Sequence, residues 1–92
     1  PEGQRAQGNC IRFIEVKGRQ ADADTVTVSK NEILTALNKP DAYILAIVMV
    51  DGDKTETTYL QKPFTISPDF GAVSVIYKIT DLLKQGECIL RR

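Results

Sequence analysis

Residues two apart on an extended chain project from the same face. Glu15 and Lys17 stand at that spacing in Ile14-Glu15-Val16-Lys17, immediately before Gly18. A carboxylate at a strand end can hold a hard divalent ion such as Mg²⁺ or Mn²⁺, whose bound water is a better nucleophile. The lysine can steer that water or neutralise charge developing on a phosphate. Phosphodiester cleavage needs these parts and does without histidine, of which the chain has none. The competing reading is a solvated ion pair of little energetic worth. The flanking residues bear on the choice: Ile14 and Val16 point to the opposite face and Phe13 is apolar. Ionisable groups in so apolar a strand are unusual unless partnered.

Glu32 is a second candidate metal ligand, because a helix docked beside the Glu15 strand would bring its carboxylate to the ion. Its place in a helix-capping motif accounts for it without any ligand. Arg19 follows closely on Lys17, so these two are the candidate contacts to nucleic-acid phosphates, whereas Arg12 points to the face opposite Lys17. Asp22 and Asp24 alternate along a loop but lack the remaining acids of a calcium-binding loop, and no calcium site is expected there. Tyr43, Tyr59 and Tyr77 should fill the core, since no basic residues interleave with them as in a base-stacking platform. Lys84, Arg91 and Arg92 are explained by the helix dipole and by solubility.

The residue types that are missing narrow the chemistry. Without histidine there is no Ser-His-Asp or Cys-His arrangement. Cys10 and Cys88 are the only cysteines and lie at opposite ends with no C-x-x-C, which excludes a four-cysteine zinc site and predicts two buried reduced thiols. No glycine-rich phosphate loop occurs, so the chain is not a motor by itself. Twelve Lys plus Arg balance twelve Asp plus Glu, and any contact to nucleic acid must come from a local patch.

One small domain must position these residues. At 92 residues it buries about 60% of the surface of its unfolded chain, and 42% apolar with 26% charged residues is an ordinary globular composition. Residues 1–9 read as a flexible polar lead-in and 10–92 as the single domain. Cys10 to Lys17 reads as a strand near the middle of a sheet, ended by Gly18 and followed by a polar loop and a short strand at 25–28. Ser29-Lys30-Asn31-Glu32 is a capping box, with Val28 and Ile33 as a hydrophobic staple, and predicts a helix stopped by Asn38-Lys39-Pro40. Tyr43 to Val50 has eight apolar residues where a membrane helix needs about twenty, and reads as a buried strand. Asp51-Gly52-Asp53-Lys54 should turn the chain back into an antiparallel neighbour at 57–60. Phe64 and Phe70 should plug the core edge, Ala72 to Tyr77 should form a strand, and Thr80 should cap a short helix ended by Gly86. The expected fold is α/β, a mixed β-sheet flanked by short helices. The chain opens at Pro1 with no methionine or signal segment, so the expectation is a fragment of a longer, soluble cytoplasmic protein.

Ile14-Glu15-Val16-Lys17-Gly18-Arg19 resembles the I-E-V-K-G-R signature of the domain at the C-terminus of prokaryotic superfamily-two helicases, including Swi/Snf-like ones, and of the plant NO VEIN protein. Thr27-Val28-Ser29-Lys30-Asn31-Glu32 and Tyr43-Ile44-Leu45 are similar to that family's L-T-x-N-E and Y-W-L segments. Tyr59 to Phe64 and Pro68 to Val75 look like its closing segment, so the resemblance spans about residues 10 to 87. It implies a restriction-endonuclease-like fold of the PD-(D/E)XK type, with Glu15 and Lys17 in the second acidic and the lysine positions. Such nucleases carry another acid on the preceding strand, and upstream of Glu15 the chain offers only Glu2. Either that acid lies on a missing N-terminal portion or the site is degenerate.

The implied role is that of a C-terminal accessory domain of a DNA helicase, inactive alone, with the helicase core in cis and ATP used only by the helicase domains. It would bind DNA backbone through Lys17 and Arg19 and hydrolyse phosphodiesters with Mg²⁺ or Mn²⁺ at Glu15 and Glu32. The alternative is a non-catalytic module that docks the motor onto DNA or onto another protein.

Overall fold

The structure, a computed structural model, describes residues 13–92. The lead-in at 1–9 and the residues Glu2, Cys10 and Arg12 lie outside the described residues. The elements are β1 (Phe13–Gln20), β2 (Thr25–Ser29), α1 (Lys30–Asn38), β3 (Tyr43–Asp51), β4 (Lys54–Gln61), β5 (Ser74–Lys78), α2 (Ile79–Gln85) and β6 (Glu87–Arg91). They form a small mixed α/β fold with a mixed four-stranded sheet, order β1-β3-β4-β6, and a separate two-stranded ribbon of β2 and β5.

The β1–β3 pair is parallel, with Phe13 opposite Tyr43 and Lys17 opposite Ile47. A parallel pair needs a long crossover, and residues 21–42, carrying β2 and α1, supply it. β4 returns antiparallel to β3 through a tight turn in which Gly52 takes φ +64°, a conformation glycine adopts without steric cost. Ser29 caps α1 as the sequence predicts: its hydroxyl accepts from the Glu32 amide at 3.1 Å while Glu32 accepts from the Ser29 amide at 2.8 Å. Val28 and Ile33, the two halves of the predicted staple, are both fully buried.

The inner face of the four-stranded sheet meets the other elements in one core. Tyr43, Leu45, Ile47 and Leu60 pack against Val26 and Val28 of the ribbon, Ile33 and Ala36 of α1, Ile79 and Leu82 of α2, and Phe64. On the opposite face of β1, Ile14 and Val16 are 56% and 58% exposed. Among the described residues, no helix is long and apolar enough to cross a membrane.

Several expectations are corrected. β1 runs through Gly18 to Gln20, because its ladder with β3 continues through Gly18–Val48 and Gln20–Val50 and offsets the weak strand preference of glycine. Among the described residues β1 has β3 as its one neighbour and lies at the sheet end, whereas the middle was expected. β4 starts at Lys54 and β5 at Ser74, where 57 and 72 were expected. α2 begins at Ile79 after Lys78, with no side-chain cap from Thr80, since burial of Ile79 and Leu82 sets where the helix docks. β6 was not expected as a strand; it pairs antiparallel with β4, with a register shift at Tyr59/Leu60. Phe64 is buried as expected, but Phe70 is 96% exposed. Cys88 is exposed, on a strand whose residues all face solvent, rather than buried. Tyr43 is buried, while Tyr59 and Tyr77 are only partly so.

Candidate functional site

Glu15 and Lys17 point to the inner, half-buried side of β1, the side on which Tyr43, Leu45 and Ile47 of β3 enter the core. α1 lies within the crossover between the parallel strands, so its N-terminus falls towards the C-terminal end of β1, the usual place for sites on parallel strands. Glu32, in the first turn of α1, thereby reaches back to a residue fifteen positions earlier: Lys17 Nζ donates to Glu32 Oε1 at 3.1 Å. The same ammonium stands 3.8 Å from Glu15 Oε2. The structure therefore brings together the two carboxylates and the lysine that the sequence singled out. Glu32 serves the helix cap and the cluster at once, where the sequence presented these as alternatives.

The two carboxylates titrate as a pair. Glu15 is pushed above its ordinary value, first by the hydrogen bond it shares with Glu32, then by burial and by the negative charge of Glu32, with Lys17 opposing. Burial acts on Glu32 in the same direction, but the Ser29 amide, Glu15 and Lys17 outweigh it and hold its carboxyl below the ordinary value. Lys17 and the positive end of α1 favour the ionised form of Glu32.

This donor set suits a hydrated Mg²⁺ or Mn²⁺. Mg²⁺ is ordinarily held by one or two carboxylates, keeping several waters and taking substrate phosphates as further ligands. Among the described residues, no cluster of three or more His, Cys, Asp or Glu side chains stands close enough to enclose an ion. An ion here would have Glu15 and Glu32 as its protein ligands and would compete with the positive charge of Lys17.

Arg19 is exposed and lies two residues beyond Lys17 on the same face of β1. It lines an open cavity of about 520 Å³ with Gly18, Gln20, Asp22 and Ala23, and takes no part in the carboxylate cluster. Sequence reasoning did not find this cavity, because it depends on β1 extending past Gly18. Tyr43 is in the core, as the sequence reading expects. Its hydroxyl is buried without a hydrogen-bond partner among the described residues and is pushed well above the ordinary phenol value by burial, then by the charges of Glu32 and Glu15. In the parallel register Tyr43 stands opposite Phe13.

No curated protein and no solved structure matches the chain. The model of the family described as protein NO VEIN, C-terminal, matches residues 2–60, a span that takes in Glu15, Lys17, Arg19, Glu32 and Tyr43 and stops short of the closing segment at 68–75. With well over half of its length matched, the chain belongs to the NO VEIN C-terminal domain family.

Proposed function

We propose that this is a restriction-endonuclease-like accessory domain of a DNA helicase, which contacts the DNA backbone at the C-terminal end of β1 and uses Mg²⁺ or Mn²⁺ at Glu15 and Glu32. The observation that carries the reading is the contact of Lys17 with Glu32 across fifteen residues, beside Glu15. Two acids and a lysine on one half-buried face is an arrangement that a purely solvated ion pair does not require.

When bound, a divalent ion would supply a more acidic water and neutralise phosphate charge. The chain's own residues have the remaining tasks. Glu15 and Glu32 would hold the ion through their carboxylate oxygens. Lys17, on the same face of β1, would neutralise charge developing on the phosphate. Arg19 extends the contact to a neighbouring phosphate oxygen across the open cavity. ATP hydrolysis belongs to the helicase core in cis.

A second reading is favoured by one specific observation. Lys17 already neutralises the acid pair, so the cluster is self-sufficient as a structural clamp between β1 and α1. On that reading the domain docks the motor without metal or cleavage. Fluorescence anisotropy with a labelled duplex, with and without Mg²⁺, and nicking of supercoiled plasmid in Mn²⁺ separate the two. The nuclease-like reading expects metal-strengthened binding that Glu15→Ala abolishes while the far-ultraviolet circular dichroism stays unchanged. Binding that is indifferent to metal and to Glu15→Ala, with no nicking, establishes the docking module instead.

A further inference from the structure

Gly18 stands within β1, opposite Val48 of β3, and is exposed. Glycine weakens a strand, and where it occurs in one it ordinarily serves a bulge, a positive φ or the close approach of another group. The first two reasons do not apply: the pairing with β3 runs without a register shift, and φ at Gly18 is not positive. Among the described residues nothing lies within 4 Å of where a Cβ would stand, so the group that approaches is to be sought outside them. The main chain is also turned outward at this position. Phe13 N donates to Ala42 O at 2.7 Å and Ala21 N to Val50 O at 2.8 Å, so the odd-numbered amides of β1 face β3. Amides alternate along a strand, which directs those of Ile14, Val16, Gly18 and Gln20 to the sheet edge, where β1 has no second neighbour among the described residues. The Gln20 carbonyl conforms to this, accepting from the Ala23 amide at 2.9 Å in the turn. Of these four residues Gly18 alone has no side chain beside its amide, and it lines the open cavity together with Arg19. Asp22, on the same cavity, repels an anion and confines it to the side of Gly18 and Arg19.

We propose that the Gly18 amide is a main-chain contact for a phosphate of the DNA backbone, donating to one of its oxygens while Arg19 pairs with another. The inference rests on the DNA-backbone reading given above and names where on β1 the phosphate sits. Main-chain amides are ordinary donors to nucleic-acid phosphates and, unlike Lys17, carry no charge that the acids of the fold already hold. A bare Cα lets the phosphate come within hydrogen-bond distance, which a branched side chain at this position prevents. Filling the position should therefore move stability and binding in opposite directions. A glycine without this role would show the gain in stability alone.

The test compares the full chain with Gly18→Val, which supplies a strand-favouring side chain. Both are melted, and both are titrated against a labelled duplex by fluorescence anisotropy in Mg²⁺ buffer. The Gly18 amide of the wild type is followed by ¹⁵N-edited NMR as duplex is added. The expected result is a melting temperature for Gly18→Val equal to or above that of the wild type, with a shift of the wild-type Gly18 amide. Its duplex affinity should be weaker by at least about 10-fold, as for the loss of one hydrogen bond to a charged group. Equal affinity in the two proteins, or a Gly18 amide that does not move, overturns the role of Gly18 while leaving the DNA reading in place. A wild type that binds no duplex overturns the DNA reading itself, and this inference with it. A Gly18→Val protein that melts lower than the wild type shows that the fold itself needs the bare Cα at this position, which also overturns the proposal.

Discussion

Glu32 is the residue on which local and long-range structure meet. Its carboxylate accepts from the Ser29 amide at 2.8 Å and from Lys17 Nζ at 3.1 Å through the same oxygen. Its folded value lies below the ordinary 4.5, so the stability it contributes is fully present above 4.5 and is lost as pH falls through the folded value. Glu15 is raised, so its contribution has the opposite sign: present below 4.5 and lost as pH rises through its folded value. Glu32→Ala should therefore lower stability by about 1 kcal/mol at pH 7, with the gap to wild type closing towards pH 3. Glu15→Gln should leave stability at pH 7 unchanged or higher, because it removes an ionisation that the fold disfavours. Urea denaturation of the three proteins at both pH values checks this. A Glu15→Gln protein less stable than wild type at pH 7 would mean that the attraction between Glu15 and Lys17 outweighs the cost of ionising Glu15 beside Glu32.

At the scale of elements, what was legible in the sequence was local. The capping box, the staple, the turn at Gly52 and the apolar run of β3 are each specified by residues within a few positions of one another, and each is present. What was not legible depends on partners distant in sequence. β1 passes through Gly18 because β3 holds it there, and β6 exists because β4 offers an edge that accepts it with a bulge. The two phenylalanines show the same limit. Both follow a proline-marked stretch, yet Phe64 packs between Tyr43 and Tyr77, while Phe70 lies in solvent with Lys30 Nζ 5.3 Å from its ring centre. Phe64→Ala should therefore cost about 3–5 kcal/mol, and Phe70→Ala no more than about 0.5 kcal/mol. Chemical denaturation of the two variants measures the difference. Comparable losses would mean that the loop at 66–73 closes onto the core in solution.

For the whole molecule, zero net charge supplies no long-range attraction to DNA, and on the proposed reading the affinity would rest on the cations at the end of β1. Those cations are not equivalent. Lys17 is held by Glu32 and Glu15, while Arg19 stands exposed at the lip of the cavity. A cation already neutralised within the fold displaces no counterion from DNA. Each phosphate neutralised changes the slope of log K against log salt by about 0.9 for a duplex. In metal-free buffer, Arg19→Ala should therefore flatten that slope by about 0.9, and Lys17→Ala should leave it unchanged. Anisotropy titrations of a labelled duplex across a range of monovalent salt concentrations give both slopes. Equal flattening by the two substitutions would mean that Lys17 leaves its carboxylates for phosphate without help from a metal.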